Sequence, residues 1–266
     1  MAELIKIENL NDDRLKVFTA LNEPQLKNIN APDEGFFIAE SSKVISRALD
    51  AGYEPVSALV EDRLCNEETF SLLSKCPVIY QGSYDVLKHI TGFELTGGIL
   101  CCMKRKPLPD PEKICLGAHR IAVLERVMNP TNIGAIIRSA AAMNIDAVLL
   151  TSDCSDPLYR RAARVSMGTV FQISWTIIPR ALDVGSYGFK TVSMALTDKT
   201  VSISSEEMKS EDKLAIILGS EGDGLLPETI TGSDYVAKIP MRETVDSLNV
   251  AAASAVAFWE LRDTHQ

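Results

Sequence analysis

Short apolar runs recur through the second half of the chain, and helical patterns lie between most of them. The runs at 121–125 and 214–218 are almost continuously apolar. A strand that faces water on one side alternates apolar and polar residues, so continuous runs predict strands that are buried on both faces. Such strands are typical of a parallel sheet covered by helices. Strands are predicted at 121–125, 147–150, 170–174, 190–196, 214–218 and 236–239, and a final helix at 249–262.

A smaller α/β pattern precedes this region. It comprises a helical lead-in at 12–28, strands at 36–39, 56–60, 77–80 and 98–103, and helices at 43–50, 67–73 and 84–89. The basic tripeptide Lys104-Arg105-Lys106 and prolines at 107, 109 and 111 separate the two patterns. Proline lacks a backbone N–H and fixes φ, so this stretch predicts a stiff, extended linker. We expect a first domain at 1–103, a linker at 104–118 and a second domain at 119–266.

The overall charge argues against one class of function. A net charge of −9 disfavours indiscriminate binding to nucleic acids, because that binding depends on neutralising phosphates. A local basic patch can still contact RNA. The candidates are the tripeptide at 104–106 and the group Arg160, Arg161 and Arg164, although a solvated charged face explains either group equally well.

Other features indicate a cytoplasmic protein without a metal. No apolar run approaches the ~20 residues that span a bilayer, and the first residues lack the apolar core of an export signal. The six cysteines form no CxxC pair, and only three histidines are present. We therefore expect free thiols in a reducing cytoplasm, no metal site and no contact with a membrane.

The loop after the first strand of the second domain contains Asn132, Gly134 and Arg138. Asn132 can cap the following helix by accepting a hydrogen bond from a free backbone N–H. Long helical side chains lean towards the N-terminus, so Arg138 is expected to lie over Gly134, near the helix start. This arrangement suits a phosphate. A surface arginine beside a glycine kept for packing explains the same residues.

A glycine-rich loop follows the strand at 214–218. Gly219, Gly222 and Gly224 allow a close approach to a ligand or a positive φ, and Glu221 between them would repel phosphates. Neither GxxxxGK[ST] nor a dinucleotide-type GxGxxG is present. The loop predicts a ligand held by main-chain contacts and lacking a pyrophosphate, and a plain glycine-rich turn is the alternative.

A third loop lies between the strand at 236–239 and the last helix. Pro240 stops the strand, and Ser247 or Asn249 can cap the helix that follows. Capping explains one of these two residues and leaves the other without a structural reason. The loop is therefore a further candidate for chemistry.

Together the three loops resemble the SpoU/TrmH family of SPOUT methyltransferases. The first matches NxGxxxR with Asn132, Gly134 and Arg138, and the second matches GxEGxGL from Gly219 to Leu225. The third matches IPM…SLNV with Ile239-Pro240-Met241 and Ser247-Leu248-Asn249-Val250. All three occur in the family's order. The N-terminal region is similar in layout to the ribosomal-protein-like RNA-binding domain that often precedes this catalytic domain.

The resemblance implies a parallel-sheet SPOUT domain with a deep trefoil knot. It also implies a homodimer packed through the last helix, in which residues of both chains combine at each active site. In the family, the knot loops hold a bent S-adenosylmethionine through main-chain contacts. The cofactor-binding residues implied here are Ala195, Leu196, Leu218, Gly219, Glu221, Gly222, Ile239, Met241, Leu248 and Asn249.

The implied catalytic residues are Asn132, Arg138, Glu221, Ser247 and Asn249. Arginine keeps its proton at neutral pH, so Arg138 is expected to clamp the substrate phosphate and ribose while the proton leaves through that phosphate or solvent. Asn132 would position Arg138 or the ribose, and Glu221 would anchor the knot loop or the arginine. Ser247 and Asn249 would shape the methyl-transfer site.

The predicted function is S-adenosylmethionine-dependent methylation of a ribose 2′-hydroxyl in RNA. About 100 residues precede the linker, which favours ribosomal RNA over transfer RNA as the substrate. A non-catalytic RNA-binding protein and a dinucleotide-dependent enzyme are the competing hypotheses. Ser220, where the family often has Asn, and Arg242-Glu243-Thr244, in a loop that often contains glycine there, leave the shape of the RNA-facing rim open.

Overall fold

A computed structural model describes residues 2–7, 13–19, 21–28, 34–91, 97–197, 200–242, 244 and 247–263. The chain divides into two compact units. Unit 1 comprises Met1–Pro107 and Leu158–Phe171, and unit 2 comprises Leu108–Pro157 and Gln172–Gln266. The predicted linker overlaps the first boundary. No motif or periodicity in the segment at 158–171 predicts that it packs with the N-terminal residues.

Twelve strands and eleven α-helices occur in the described residues. The strands are β1 (Glu3–Lys6), β2 (Phe36–Glu40), β3 (Pro55–Glu61), β4 (Val78–Gly82), β5 (Ile99–Lys104), β6 (Arg120–Leu124), β7 (Ala147–Thr151), β8 (Ser174–Ile178), β9 (Lys190–Met194), β10 (Val201–Ser202), β11 (Leu214–Leu218) and β12 (Tyr235–Lys238). The helices are α1 (Lys16–Thr19), α2 (Glu23–Lys27), α3 (Ser42–Asp50), α4 (Glu67–Leu72), α5 (Tyr84–Thr91), α6 (Pro111–Cys115), α7 (Pro130–Ala142), α8 (Arg160–Val165), α9 (Glu206–Lys209), α10 (Pro227–Gly232) and α11 (Val250–Glu260).

Unit 1 is built on a mixed five-stranded sheet with the order β1-β4-β3-β5-β2. β5 runs antiparallel to both of its neighbours, and the other pairs are parallel. The four strands predicted in this region are confirmed. The helical lead-in at 12–28 is split into a short 3-10 turn, α1 and α2, and residues 12 and 20 of that prediction lie outside the described residues.

The segment at 158–171 is held in unit 1 by charge and by aromatic packing. The carboxylate of Glu40 is buried and accepts two hydrogen bonds from Arg164, at 3.0 and 3.1 Å. The Phe171 ring contacts Phe37 and Tyr53, with centroids 5.7 and 5.2 Å apart. The strand predicted at 170–174 is therefore wrong: Thr169–Phe171 forms a 3-10 turn, and the strand begins at Ser174.

Unit 2 contains a seven-stranded sheet with the order β10-β12-β9-β11-β6-β7-β8. Every neighbouring pair is parallel. Strands β6, β7 and β11 are buried along their whole length, as their apolar runs predicted. The parallel α/β sheet is thus confirmed, with each strand's carboxyl end on the same edge of the sheet.

The predicted linker is extended only in its first part. From Pro111 the chain forms α6, so the prediction of an extended stretch up to residue 118 is wrong. Pro111 lies in the first helical turn, where its missing N–H needs no partner. Asp110 caps this helix by accepting a hydrogen bond from the Glu112 N–H at 2.9 Å.

The six cysteines are free thiols. Among the described residues, no group of three or more His, Cys, Asp or Glu side chains could hold a metal ion. In the same part of the chain, no helix has both the length and the apolar character needed to cross a membrane.

A buried arginine fastens the end of the chain to the sheet of unit 2. Arg120, at the start of β6, is 4% exposed and donates to the carbonyl of Leu261 just after α11 at 2.9 Å. It also donates to the carbonyls of Lys209 and Asp212, at 3.1 and 3.0 Å. One guanidinium thus satisfies the carbonyls of two helix ends and of one loop residue.

Replacing Arg120 with Met should lower the free energy of unfolding by roughly 2 to 4 kcal/mol, because several buried carbonyls lose a charged donor. Urea denaturation monitored by circular dichroism measures this loss. Lys113→Met removes one charge from the exposed side of α6 and should stay within about 0.5 kcal/mol of the parent protein. Equal stability of the two variants would contradict the fastening role of Arg120.

Candidate active site

The predicted cofactor-binding residues meet at the carboxyl ends of three adjacent strands of unit 2. The chain leaves β9 at Met194, β11 at Leu218 and β12 at Lys238, and the loops that follow enclose a cavity of about 390 Å³. Nine of the ten predicted cofactor-binding residues line it: Ala195, Leu196, Leu218, Gly219, Glu221, Gly222, Ile239, Met241 and Leu248. Asn249, the tenth, caps the adjacent helix α11. This edge is where parallel sheets hold ligands.

Other residues line the same cavity and were not predicted. Most are neighbours of predicted positions on the same strands and loops, so the alternation of side chains could have found them. Ile230 on α10 had no such signal. The additional lining residues are Met194, Ser220, Asp223, Gly224, Leu225, Ile230, Ala237, Lys238, Val250 and Ala253.

The glycine-rich loop closes on itself at two glycines. A Cβ on Gly219 would lie 2.4 Å from the carbonyl carbon of Gly224 and 2.5 Å from the Leu225 nitrogen, closer than atoms can approach. The Ser220 N–H donates to the Gly224 carbonyl at 3.2 Å, and Gly224 has a φ of +68°. The glycines therefore let two segments of the loop pack backbone against backbone, so that main-chain groups form part of the cavity wall.

A buried carboxylate holds the far end of this loop. Glu125 directly follows β6 and is 2% exposed. It accepts hydrogen bonds from the Leu226 N–H at 2.8 Å and from the Thr229 hydroxyl at 2.6 Å. The end of the loop and the first turn of α10 are thus fixed to β6. Sequence reasoning missed Glu125, because a glutamate at the end of a strand carries no motif.

Three of the predicted catalytic residues form one hydrogen-bonded cluster. Asn249 accepts from the Ala251 N–H at 2.9 Å, so its oxygen is committed to capping α11 and its amide nitrogen must act as donor. That nitrogen donates to Glu221 and, at 3.3 Å, to the oxygen of Asn132. Residues distant in sequence, from all three predicted loops, therefore meet at one point.

This arrangement assigns the orientation of the Asn132 amide. Its oxygen faces Asn249, so its nitrogen points the other way, and that nitrogen is buried without a hydrogen-bond partner among the described residues. The prediction that Asn132 caps α7 is wrong. Asn129 is the cap and accepts from the Thr131 N–H at 2.9 Å, because Pro130 starts the helix and places Asn132 inside its first turn.

The remaining two predicted catalytic residues lie apart from the cluster. Ser247 lines the cavity. Arg138 lies on the exposed face of α7, does not line the cavity, and makes no hydrogen bond or ion pair with any described residue. The prediction that Arg138 holds a phosphate near the helix start stays a prediction.

Comparisons with known proteins assign the family. Residues 119–259 match the model of the SpoU rRNA Methylase family. An uncharacterised tRNA/rRNA methyltransferase of Mycobacterium tuberculosis (strain H37Rv) is 34% identical over 258 residues, covering 94% of this chain and 88% of the relative. The 23S rRNA (guanosine(2553)-2′-O)-methyltransferase RlmP of Bacillus subtilis is 26% identical, over 85% and 88% of the two chains. The chain belongs to the SpoU rRNA methylase family, and the resemblance carried by the three motifs is confirmed.

Solved structures support the same fold. An AdoMet-bound rRNA methyltransferase from Sinorhizobium meliloti superposes with a TM-score of 0.82 at 22% identity, covering 97% of each chain. The SpoU methyltransferase AviRb of Streptomyces viridochromogenes, in complex with AdoMet, gives a TM-score of 0.79 at 21% identity, over 94% and 97% of the chains. The predicted fold class is confirmed, and the trefoil knot stays a prediction.

Two substitutions separate the capping role of Asn249 from its role in the cluster. Asn249→Ala should cost about 1 kcal/mol of stability, because α11 loses its cap. Asn249→Ser keeps a capping oxygen and should stay within about 0.5 kcal/mol of the parent protein, although it lacks the amide donor to Glu221 and Asn132. Thermal and urea unfolding measure both. If Asn249→Ser and Asn249→Ala lower the free energy of unfolding equally, the assignment of Asn249 as the cap is incorrect.

Proposed function

We propose that this protein transfers a methyl group from S-adenosylmethionine to a ribose 2′-hydroxyl of RNA, with ribosomal RNA as the substrate. The observation that carries the proposal is the cavity at the carboxyl edge of unit 2. The glycine-rich loop forms part of its wall, and Glu221 joins that wall to the hydrogen-bonded cluster of Asn132, Asn249 and Glu221. The family assignment supports methyl transfer to RNA, and names of relatives such as RlmP support the 2′-hydroxyl.

The cavity fits the proposed cofactor by size and by charge. About 390 Å³ suits a small organic ligand. Apolar side chains and backbone line most of it, while Glu221 and Asp223 outnumber Lys238, its one cationic side chain among the described residues. S-adenosylmethionine bears a net positive charge and no phosphate, so an acidic, glycine-walled cavity matches it better than a nucleotide. When bound, it supplies an electrophilic methyl group on a sulfonium.

The side-chain nitrogen of Asn132 is a donor for which the described residues provide no acceptor. A buried N–H without a partner costs free energy, and a substrate oxygen that accepts this hydrogen bond recovers that cost. We assign Asn132 to hold an oxygen of the target nucleotide next to the cavity, with Glu221 and Asn249 fixing the amide's orientation. Ser247 would shape the same wall. Positioning of this kind accounts for much of the rate gain available to a direct displacement.

Arg138 is assigned to the substrate phosphate, at the site of a second copy of the chain. Its guanidinium is exposed and bonds to no described residue, and it stays outside the cavity of its own chain. Val256 and Trp259, on the exposed face of α11, and Met128 before α7 are large apolar residues open to solvent. An apolar face on the last helix supports the predicted homodimer. In it, Arg138 clamps phosphate and ribose while the proton leaves through phosphate or solvent.

Ribosomal RNA is favoured over transfer RNA for two reasons. Unit 1 adds a second compact unit to the catalytic one, and several relatives are named for 23S rRNA, including RlmP and the RlmB of Acinetobacter baylyi. The M. tuberculosis relative is named for both classes of RNA. Six free thiols agree with action in the reducing cytoplasm.

The substrate is tested by incubating the full-length protein with radiolabelled S-adenosylmethionine and either unmodified ribosomal RNA or unmodified transfer RNA. We expect ribosomal RNA to be labelled, and Arg138→Ala to lower turnover by at least about 100-fold, as for loss of a group that acts in the transition state. Labelling of transfer RNA alone would overturn the substrate assignment. If the protein binds the cofactor but labels neither RNA, both the proposed reaction and the substrate assignment are contradicted. If it labels neither RNA and does not bind the cofactor, a non-catalytic RNA-binding protein is favoured.

Cofactor binding is tested with a pair of glycine variants. Gly219→Ala drives a methyl group into the backbone of Gly224, so the loop must move and the Kd for S-adenosylmethionine should rise at least tenfold. A Cβ on Gly222 meets no atom within 4 Å, so Gly222→Ala should leave the Kd within about twofold. Isothermal titration calorimetry measures both. A similar Kd for the two variants would count against the loop as the cofactor wall.

The shared active site is tested by complementation. At an S-adenosylmethionine concentration well below the raised Kd of Gly219→Ala, the Arg138→Ala and Gly219→Ala chains are each expected to be nearly inactive alone. Coexpressed in equal amounts, they form mixed dimers in which one site has an intact loop and an intact arginine, so about a quarter of the parent activity should return. If Arg138 acted within its own chain, no site in the mixture would be complete and the activity would stay at the level of the single variants.

A further inference from the structure

A second cavity lies at the same edge of the unit 2 sheet. It has a volume of about 380 Å³ and lies beyond the carboxyl ends of β6, β7 and β8. Glu125 follows β6, Thr151 ends β7 and Pro179 follows β8, and all three line it. Neither the motifs nor the proposed cofactor accounts for this cavity, although it is close to the first one in size and lies at the edge where parallel sheets bind ligands.

Some carboxylates of this cavity already accept hydrogen bonds from protein groups, and others can still accept them from a ligand. Each oxygen of Glu125 already accepts a hydrogen bond, from Leu226 and from Thr229. Asp183 accepts two hydrogen bonds from Arg180 and makes an ion-pair contact with it. The Glu228 carboxylate is exposed and bonds to no described residue. One oxygen of Asp153 accepts a hydrogen bond from the Thr151 hydroxyl. Its other oxygen makes only an ion-pair contact, at 3.8 Å, with Arg126. Two carboxylates therefore remain open to accept hydrogen bonds from a ligand.

The charge and shape of the lining select a class of ligand. Four carboxylates and two guanidinium groups give the lining a net charge of about −2 at neutral pH, which opposes a phosphate. Carboxylates accept from N–H groups, while Pro179, Leu182 and the Arg126 guanidinium offer surfaces on which a planar ring can stack. A nucleobase with an exocyclic amino group meets these conditions. Uracil, whose edge is flanked by two carbonyls, does not.

The two cavities are neighbours. Arg126 lines the second cavity and contacts Asp223 of the glycine-rich loop, which lines the first, at 3.4 Å. Leu225 and Leu226 are consecutive and line one cavity each. A nucleotide whose base occupies the second cavity therefore has its sugar and phosphates within reach of the residues around the first.

We propose that the second cavity receives one base of the RNA substrate, and that this base carries an exocyclic amino group which donates to Asp153 and Glu228. The inference rests on the proposed function, since it assumes that the ligand of this edge is RNA. It adds a base preference, read by two residues outside the three family motifs. Glu228 and Asp153 accept the amino protons, and Arg126 stacks on the base.

The experiment measures binding of fluorescently labelled twelve-residue oligo(C), oligo(A) and oligo(U) to the full-length protein, in the presence of S-adenosylhomocysteine. The parent protein should bind oligo(C) and oligo(A) at least about fivefold more tightly than oligo(U), as expected for a charge-assisted hydrogen bond. Glu228→Gln should reduce that preference, and the double variant Asp153→Asn/Glu228→Gln should reduce it further, because an amide oxygen still accepts a hydrogen bond but carries no charge. Glu112→Gln, an exposed carboxylate of the same unit outside both cavities, should keep it.

Equal binding of the three oligonucleotides by the parent protein, or a preference that is undiminished in the double variant, would overturn the inference. Because Glu228 is exposed and bonds to no described residue, its substitution by Gln leaves the fold intact, which circular dichroism checks. Binding does not require turnover, so a protein that discriminates between the oligonucleotides but labels no RNA would contradict the proposed function alone. If an RNA is labelled, the KM for that RNA should rise in Glu228→Gln while the Kd for S-adenosylmethionine stays unchanged.

Discussion

The carboxylate of Glu125 fixes the position of the loop on which the rest of the site depends. It joins the end of β6 to Leu226 and Thr229, and so sets where the glycine-rich loop ends. The other end is set by β11, and between these ends Gly219 and Gly224 bring two stretches of main chain into contact. Once the loop is placed, Glu221 lies where Asn249 can reach it and Asn249 where it can orient Asn132. A buried hydrogen-bonded carboxylate suits this task, because leaving its donors unpaired is costly.

The arrangement gives separate tasks to separate parts of the edge. The glycine-rich loop lines the cavity proposed for the cofactor, and the amide cluster beside it holds one buried donor without a partner among the described residues. Arg138, on the exposed face of α7, likewise bonds to none of the residues that the structure describes. A methyl transfer by direct displacement needs mostly alignment, which rigid groups around the cavity can supply. In the proposed mechanism, rigid groups of one chain align the two substrates, and Arg138 of a second copy would complete the site.

Most strands of the fold and most residues around the cavity can be predicted from the sequence, and each wrong or missed prediction has a physical reason. The buried strands of unit 2 and the meeting of the three loops followed from apolar runs and motifs. The strand at 170–174 failed because Phe171 packs on Phe37 and Tyr53 instead of entering the sheet, and such long-range packing leaves no local signal. The prediction that Asn132 caps α7 is wrong because the helix already begins at Pro130, which makes Asn129 the cap. Glu125 and the second cavity depend on tertiary contacts that no short pattern encodes.

The central claim is that the ribose 2′-oxygen, and not a base, receives the methyl group. The most direct measurement is alkaline hydrolysis of RNA labelled by the protein with radioactive S-adenosylmethionine, followed by separation of the products. A 2′-O-methyl group removes the nucleophile of alkaline cleavage, so the account predicts that the label appears in alkali-resistant dinucleotides. Label recovered in mononucleotides that carry a methylated base would contradict it.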